Sequence, residues 1–83
     1  MDVQFVYDAR VYIESTNEYG DTSVRVLYFI GDSADQANRA RAEYKKDNPH
    51  FKYSGTGATA FRGWHEDFLN SENVVDVRRL PGG

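Results

Sequence analysis

Residues 3–30 read VQFVYDARVYIESTNEYGDTSVRVLYFI, and the fold turns on how this stretch alternates. From Val3 to Ile13 the odd positions hold Val3, Phe5, Tyr7, Ala9, Val11 and Ile13, while the even positions include Gln4, Asp8 and Arg10. A period of two with one apolar side predicts a long first strand that buries one face. Ser15 to Thr22 contains Asn17 and Gly20, which supply turn chemistry. Beyond it, Val24, Val26, Tyr28 and Ile30 alternate with Arg25, Leu27, Phe29 and Gly31, so a second strand returns and the two make a hairpin.

Outward from the hairpin, Ser33 and Gln36 have capping-box spacing, with Asp32 and Asp35 placed where a helix macrodipole favours negative charge. The spacing predicts a helix from Ser33 to Asp47, with Ala34, Ala37, Ala40 and Tyr44 forming a narrow small-residue stripe that lies close on a sheet. Lys45 and Lys46 suit its last turn, and Asn48-Pro49 stops it. His50 to Tyr53 then reads as a short strand and Ser54 to Gly57 as a turn. Ala58 to Arg62 pairs back, Trp64 to Leu69 is a helical turn with Trp64, Phe68 and Leu69 inward, and Asn73 to Leu80 is a last strand. This order predicts an α+β fold: a mixed sheet of four to five strands packed on one helix, with a single domain at 1–80 and a tail at 81–83.

If the odd residues of strand one and the even residues of strand two face the helix, the other sheet face presents Val6, Tyr12, Leu27 and Phe29 beside Gln4, Arg10 and Arg25. That face is a candidate docking patch, unless the segment around Trp64 covers it.

The chain of 83 residues is 40% apolar and 28% charged, a balance that supports a core rather than disorder. Cys is absent, so neither a disulfide nor thiolate zinc supplements that core, and the zero count agrees with a cytoplasmic protein. Ten basic residues against 13 acids argue against a protein that grips nucleic acid by its phosphates. The deficit lies in residues 1–40, with three Arg against seven acids; residues 41–83 hold seven basic groups against six acids and are where an acidic partner would be met. No apolar run has the length of a membrane span, and a start with Asp2 and Asp8 and no basic residue does not read as a signal peptide.

Catalytic chemistry has no visible home, and no cofactor is expected. His50 and His65 stand on irregular segments with Glu66 and Asp67 near the second, but no spacing puts two ligands on one helix face. Gly55-Thr56-Gly57 lacks the Gly-Lys-Ser/Thr continuation of a phosphate loop and reads as a plain turn. Arg39, Arg41, Lys45 and Lys46, interleaved with Asp35, Glu43 and Asp47, read as a solvated helix edge.

One motif differs in kind: the sequence closes Arg79-Leu80-Pro81-Gly82-Gly83, with the diglycine following the last expected strand. With the element order, this resembles the ubiquitin-like β-grasp family, whose modifiers end in an Arg, a Leu, a basic residue and Gly-Gly. Pro81 departs from that pattern. The resemblance implies that first and last strands lie adjacent and parallel. It also implies that the Gly83 carboxylate is adenylated by an activating enzyme and passed through thioesters to target amines, with Gly82 and Gly83 as the conjugation residues and Arg79 and Leu80 as partner contacts. Side-chain-free glycines allow the close approach such a channel needs. Implied partners are the activating enzyme, a conjugating enzyme, a deconjugating protease and target proteins, with no nucleic acid and no membrane. Two alternatives stay open: a small α+β protein-binding module, such as a phage or anti-defence inhibitor, and a sulfur carrier that leaves as a thiocarboxylate.

Overall fold

The computed structural model describes residues 2–79, and the side chains among them except those of Thr56 and Arg79. The elements run β1 (Val3–Thr16), β2 (Thr22–Gly31), α1 (Ala34–Asp47), β3 (Lys52–Thr56), β4 (Ala60–His65), α2 (Glu66–Leu69) and β5 (Val74–Asp76), with a closing 3-10 turn at Val77–Arg79. This is an α+β fold with a mixed five-stranded sheet and two helices.

The β1–β2 loop is organised by one side chain. Asn17 Oδ1 accepts from the amides of Tyr19 and Asp21, both at 2.9 Å, which holds the loop while Gly20 takes the left-handed φ of 84° that a side chain would resist. Five residues, 17–21, separate the paired Thr16 and Thr22. Because that number is odd, residues of like parity oppose one another: Val11 meets Leu27 and Ala9 meets Phe29. Directly opposed residues share a face, so the odd positions of both strands point toward α1. The expectation that Leu27 and Phe29 point outward is therefore corrected.

Under α1 the core consists of Ala9, Val11, Ile13, Leu27, Phe29 and Ala37, with Ala40, Tyr44, Tyr53 and Val75 packed against it. The small-residue stripe lets the helix settle on the sheet, as its spacing predicts. Ser33 Oγ accepts from Gln36 N at 3.1 Å, Gln36 Oε1 accepts from Asp32 N, and Asn48 N closes the far end on Tyr44 O. The approach is tightest at Gly31, where a Cβ would sit 2.8 Å from the Ala37 amide nitrogen. Backbone cannot swing aside as a side-chain tip can, so Gly31→Ala is expected to cost about 1–3 kcal/mol. Thermal unfolding checks this, with about 4–8 °C per kcal/mol for a domain of this size.

The other sheet face has its own small core of Val6, Ile30 and Leu69, closed by Tyr28, Trp64 and Val74. Leu69 comes from α2, as expected, whereas Phe68 is half exposed and Trp64 belongs to β4. Val6 is thus buried on the side away from α1, beneath Trp64 and α2.

Strand neighbours differ from the expected ones. The fourteen residues of β1 pair β2 along one edge and, on the other, take β4 at Val3–Asp8 and β3 at Val11–Glu14. The segments 50–53 and 58–62, expected to pair with each other, instead contribute to β3 at Lys52–Thr56 and β4 at Ala60–His65, which follow one another along β1 with a register shift between Tyr12 and Ile13. With both edges of β1 taken, β5 joins the free edge of β2, in parallel, through Tyr28–Val74, Phe29–Val75 and Ile30–Asp76. The last strand is parallel, but beside β2 rather than β1. It is also shorter than expected, giving way to the 3-10 turn after Asp76.

Candidate docking surface

The β1–β2 ladder stops at Tyr7–Gly31, so Val3 to Val6 of β1 run beyond β2 with β4 alongside. At this end only one sheet face is covered. On the α2 side, Val6 and Trp64 are packed; on the α1 side, Phe5 is 68% exposed, Phe61 is 58% exposed and Val3 is half exposed. The rings form a contiguous row, with Phe5 and Phe61 stacked at 5.9 Å between centroids and Tyr7 4.9 Å from Phe61. Phe5 and Val3 lean over Gly63, where an added Cβ would meet Val3 Cγ1 at 2.8 Å and Phe5 Cε1 at 3.3 Å.

What holds this exposed row in place lies beneath it. Asp8 is fully buried: its Oδ2 accepts from Trp64 Nε1 at 2.9 Å and meets Arg62 Nε at 3.1 Å, while its Oδ1 meets Arg10 Nη2 at 3.3 Å. A carboxylate taken out of water needs such partners to offset its lost hydration. Two of its three partners, Arg62 and Trp64, stand on β4, so the carboxylate ties that strand to β1 from below. Trp64 in turn packs edge-on against Tyr28 and Phe68, both at 4.9 Å. Arg10 lies over the Tyr28 ring and runs beneath Gly57.

Two further clasps fix the surroundings. Arg41 Nη1 donates to Gly57 O at 2.8 Å and Nη2 to Asn38 Oδ1 at 2.8 Å, and the Thr59 hydroxyl bonds the same Asn38 oxygen. Arg41 is therefore a strut between α1 and the β3–β4 connection, not part of a solvated edge. Arg78 binds Asp76 through Nε at 2.9 Å and Nη2 at 2.8 Å and reaches Gln4 Oε1 at 3.0 Å, which anchors the closing turn to the overhanging end of β1. The hydrogen bonds to Asp76 raise the Arg78 pKa above its ordinary value, against the opposing effect of burial.

The residues expected to bind a partner fall elsewhere. Val6, Leu27 and Phe29 are buried and cannot be reached without unfolding. Arg79 ends the 3-10 turn, while Leu80, Gly82 and Gly83 lie outside the described residues. The two histidines are not brought together: His65 opposes Val3 at one end of β1, and His50 precedes Lys52, which opposes Glu14 at the other. His65, Glu66 and Asp67 line an open depression with Asp2, but among the described residues no group of three or more His, Asp or Glu is placed to hold a metal ion. The turn expected over Ser54 to Gly57 is instead the second half of β3, with Gly55 opposite Tyr12 and Thr56 opposite Val11, and only Gly57 follows the strand. Among the described residues no helix is long and apolar enough to cross a membrane.

Phe5 and Phe61 were hidden in the sequence: the alternation puts Phe5 and Val3 on the face expected to be buried, where the structure leaves them exposed, and Phe61 reads as an ordinary strand residue. Their exposure depends on where the hairpin ladder stops and where α1 lies, and neither is local. The chain matches no protein-family model, no curated protein and no solved structure.

Proposed function

We propose that the protein is a small protein-binding module whose partner docks on the β1–β4 end of the sheet, with Phe5 and Phe61 as anchors and Val3 at their side. The observation that supports this is the pair of large aromatic side chains, stacked on one another and more than half exposed, on strands braced from behind by Asp8 and Trp64. Exposed apolar groups in a contiguous row on a rigid element are what interface hot spots are made of. No reaction chemistry is needed for this role.

Display selection of peptide ligands on the immobilised protein, followed by calorimetry, tests the reading. The Phe5→Ser/Phe61→Ser double variant is expected to lose about 2–4 kcal/mol of binding to the selected ligands. Its melting temperature should hold, because neither ring belongs to a buried cluster. Ligands that bind wild type and double variant alike would place docking elsewhere.

A second reading rests on Arg79-Leu80-Pro81-Gly82-Gly83 alone: a ubiquitin-like modifier, or a sulfur carrier, activated at Gly83. The α+β fold with its mixed sheet is compatible with it, although β5 lies beside β2 and not beside β1 as the resemblance implies. It requires an ATP-dependent adenylate or thioester mass on incubation with an activating enzyme encoded beside the gene. Deletion of Gly83 should abolish that product and leave ligand docking at Phe5 and Phe61 untouched.

A further inference from the structure

Resting on the docking reading, the geometry points to a second copy of this chain as the occupant, joined through antiparallel pairing of the two β4 strands about a two-fold axis at Gly63. Among the described residues β4 pairs only β1, so its outer edge offers unpaired backbone groups to an incoming strand. An antiparallel pair keeps inward and outward faces matched only when opposed residues have like parity, which permits a two-fold axis on a residue and not between residues.

Centring the axis on Arg62 would oppose two guanidinium groups. Centring it on Gly63 opposes Arg62 to Trp64 of the second copy and Phe61 to His65 of the second copy. A guanidinium against an indole and an aromatic ring against an imidazole are both favourable cross-strand pairs.

Charge favours the same arrangement. Toward one end of β4 the charged group is Arg62, whose side chain is half exposed although it also meets Asp8. The other end is acidic, with Asp2, Glu66 and Asp67 around the open depression. An antiparallel two-fold pair lays the Arg62 end of each copy against the acidic end of the other, and a self-complementary patch of this kind is what an isologous interface requires. The glycine is accounted for as well. Glycine weakens a strand interior and commonly marks close approach of another backbone. Here the strip over the two opposed glycines is open to the Phe5 rings of both copies, which already lean toward it, with a Phe61 on each side. The dimer thus joins the two aromatic rows across the seam, Phe61 of each copy beside His65 of the other.

Two measurements test this. Light scattering across a concentration series should show the mass rising from 9.5 kDa toward twice that value, with the midpoint moving to higher protein concentration as salt screens the charged ends. The chain has no cysteine, so register can be read by introduced thiols. Phe61→Cys and His65→Cys proteins, mixed and oxidised, should form a disulfide-linked heterodimer well above the yield of either variant alone. Opposed strand positions stand about 4.5–5.5 Å apart at Cα, within disulfide reach. Each heterodimer keeps both Phe5 residues and one Phe61. A protein monomeric throughout, or a mixture that cross-links no better than its components, overturns the proposal. If the mass stays at one copy while display ligands still lose binding to Phe5→Ser/Phe61→Ser, the second copy falls and the docking surface stands. If the mass stays at one copy and display ligands bind Phe5→Ser/Phe61→Ser as tightly as wild type, both fall.

Discussion

Phe29→Ala is expected to unfold the domain rather than weaken a docking event. The side chain is buried among Ala9, Val11 and Ala37, with its ring 5.4 Å from Tyr44 at the centre of the α1–sheet contact. Truncating a buried Phe costs about 3–5 kcal/mol, through lost transfer energy and the cavity left behind. A domain of this length has roughly 4–12 kcal/mol in total, so much of its stability goes. Thermal denaturation should show a fall of at least roughly 12 °C. Phe29→Leu should recover most of it, since apolar volume is largely retained. Leu27→Ala acts through the same core at about 2–5 kcal/mol. Were Phe29→Ala to melt within a few degrees of wild type, the register that turns Phe29 toward α1 would be wrong, and with it the assignment of Phe5 to the same face.

The contrast between Phe29 and Phe5 shows which features of this fold are legible in sequence. Ser33, Gln36 and the Ala37–Ala40–Tyr44 stripe are local signals, since a helix is specified by residues three and four apart, and α1 starts and stops where they direct. The alternation of β1 is equally local. Which face of β2 joins it depends on whether the connecting loop has an odd or even number of residues, and that was set by Asn17 capping a five-residue loop rather than by any property of Leu27 or Phe29. The place of β5 depends on a competition no segment reveals alone: β1 is long enough to hold β3 and β4 end to end, so no edge remains for a last strand beside it. Arg41 misled for a related reason. Helical spacing puts it among charged neighbours, yet the chain returns past it at Gly57 and accepts its hydrogen bond. The candidate site, assembled from β1 and β4, which stand far apart in the sequence, was out of reach of any local pattern.

Asp8→Ala is expected to be nearly as damaging as Phe29→Ala, and its consequences reach the docking surface. Asp8 has no solvent exposure, and its removal leaves Trp64 Nε1 without its acceptor and Arg10, whose side chain is only 18% exposed, without its counter-charge. Breaking a buried charge pair from one side costs about 3–5 kcal/mol, because the remaining group stays desolvated and unpaired. Arg62 contributes little to that figure. Its side chain is half exposed, water replaces the lost partner, and Arg62→Ala should therefore cost no more than about 1 kcal/mol. Asp8→Asn keeps an acceptor for Trp64 while losing the charge, so it should fall between the two in urea unfolding. Since Asp8 binds β4 to β1 through Arg62 and Trp64, the Asp8→Ala protein should also show faster amide exchange over Ala60–His65 than over β2, under conditions where the domain is still folded. A loosened β4 no longer holds Phe61 against Phe5, and ligand binding should drop although Asp8 touches no ligand. Asp8→Ala within about 1 kcal/mol of wild type, with exchange in β4 unchanged, would mean that the backbone ladder alone fixes the strand and that the buried carboxylate plays no part in presenting the aromatic row.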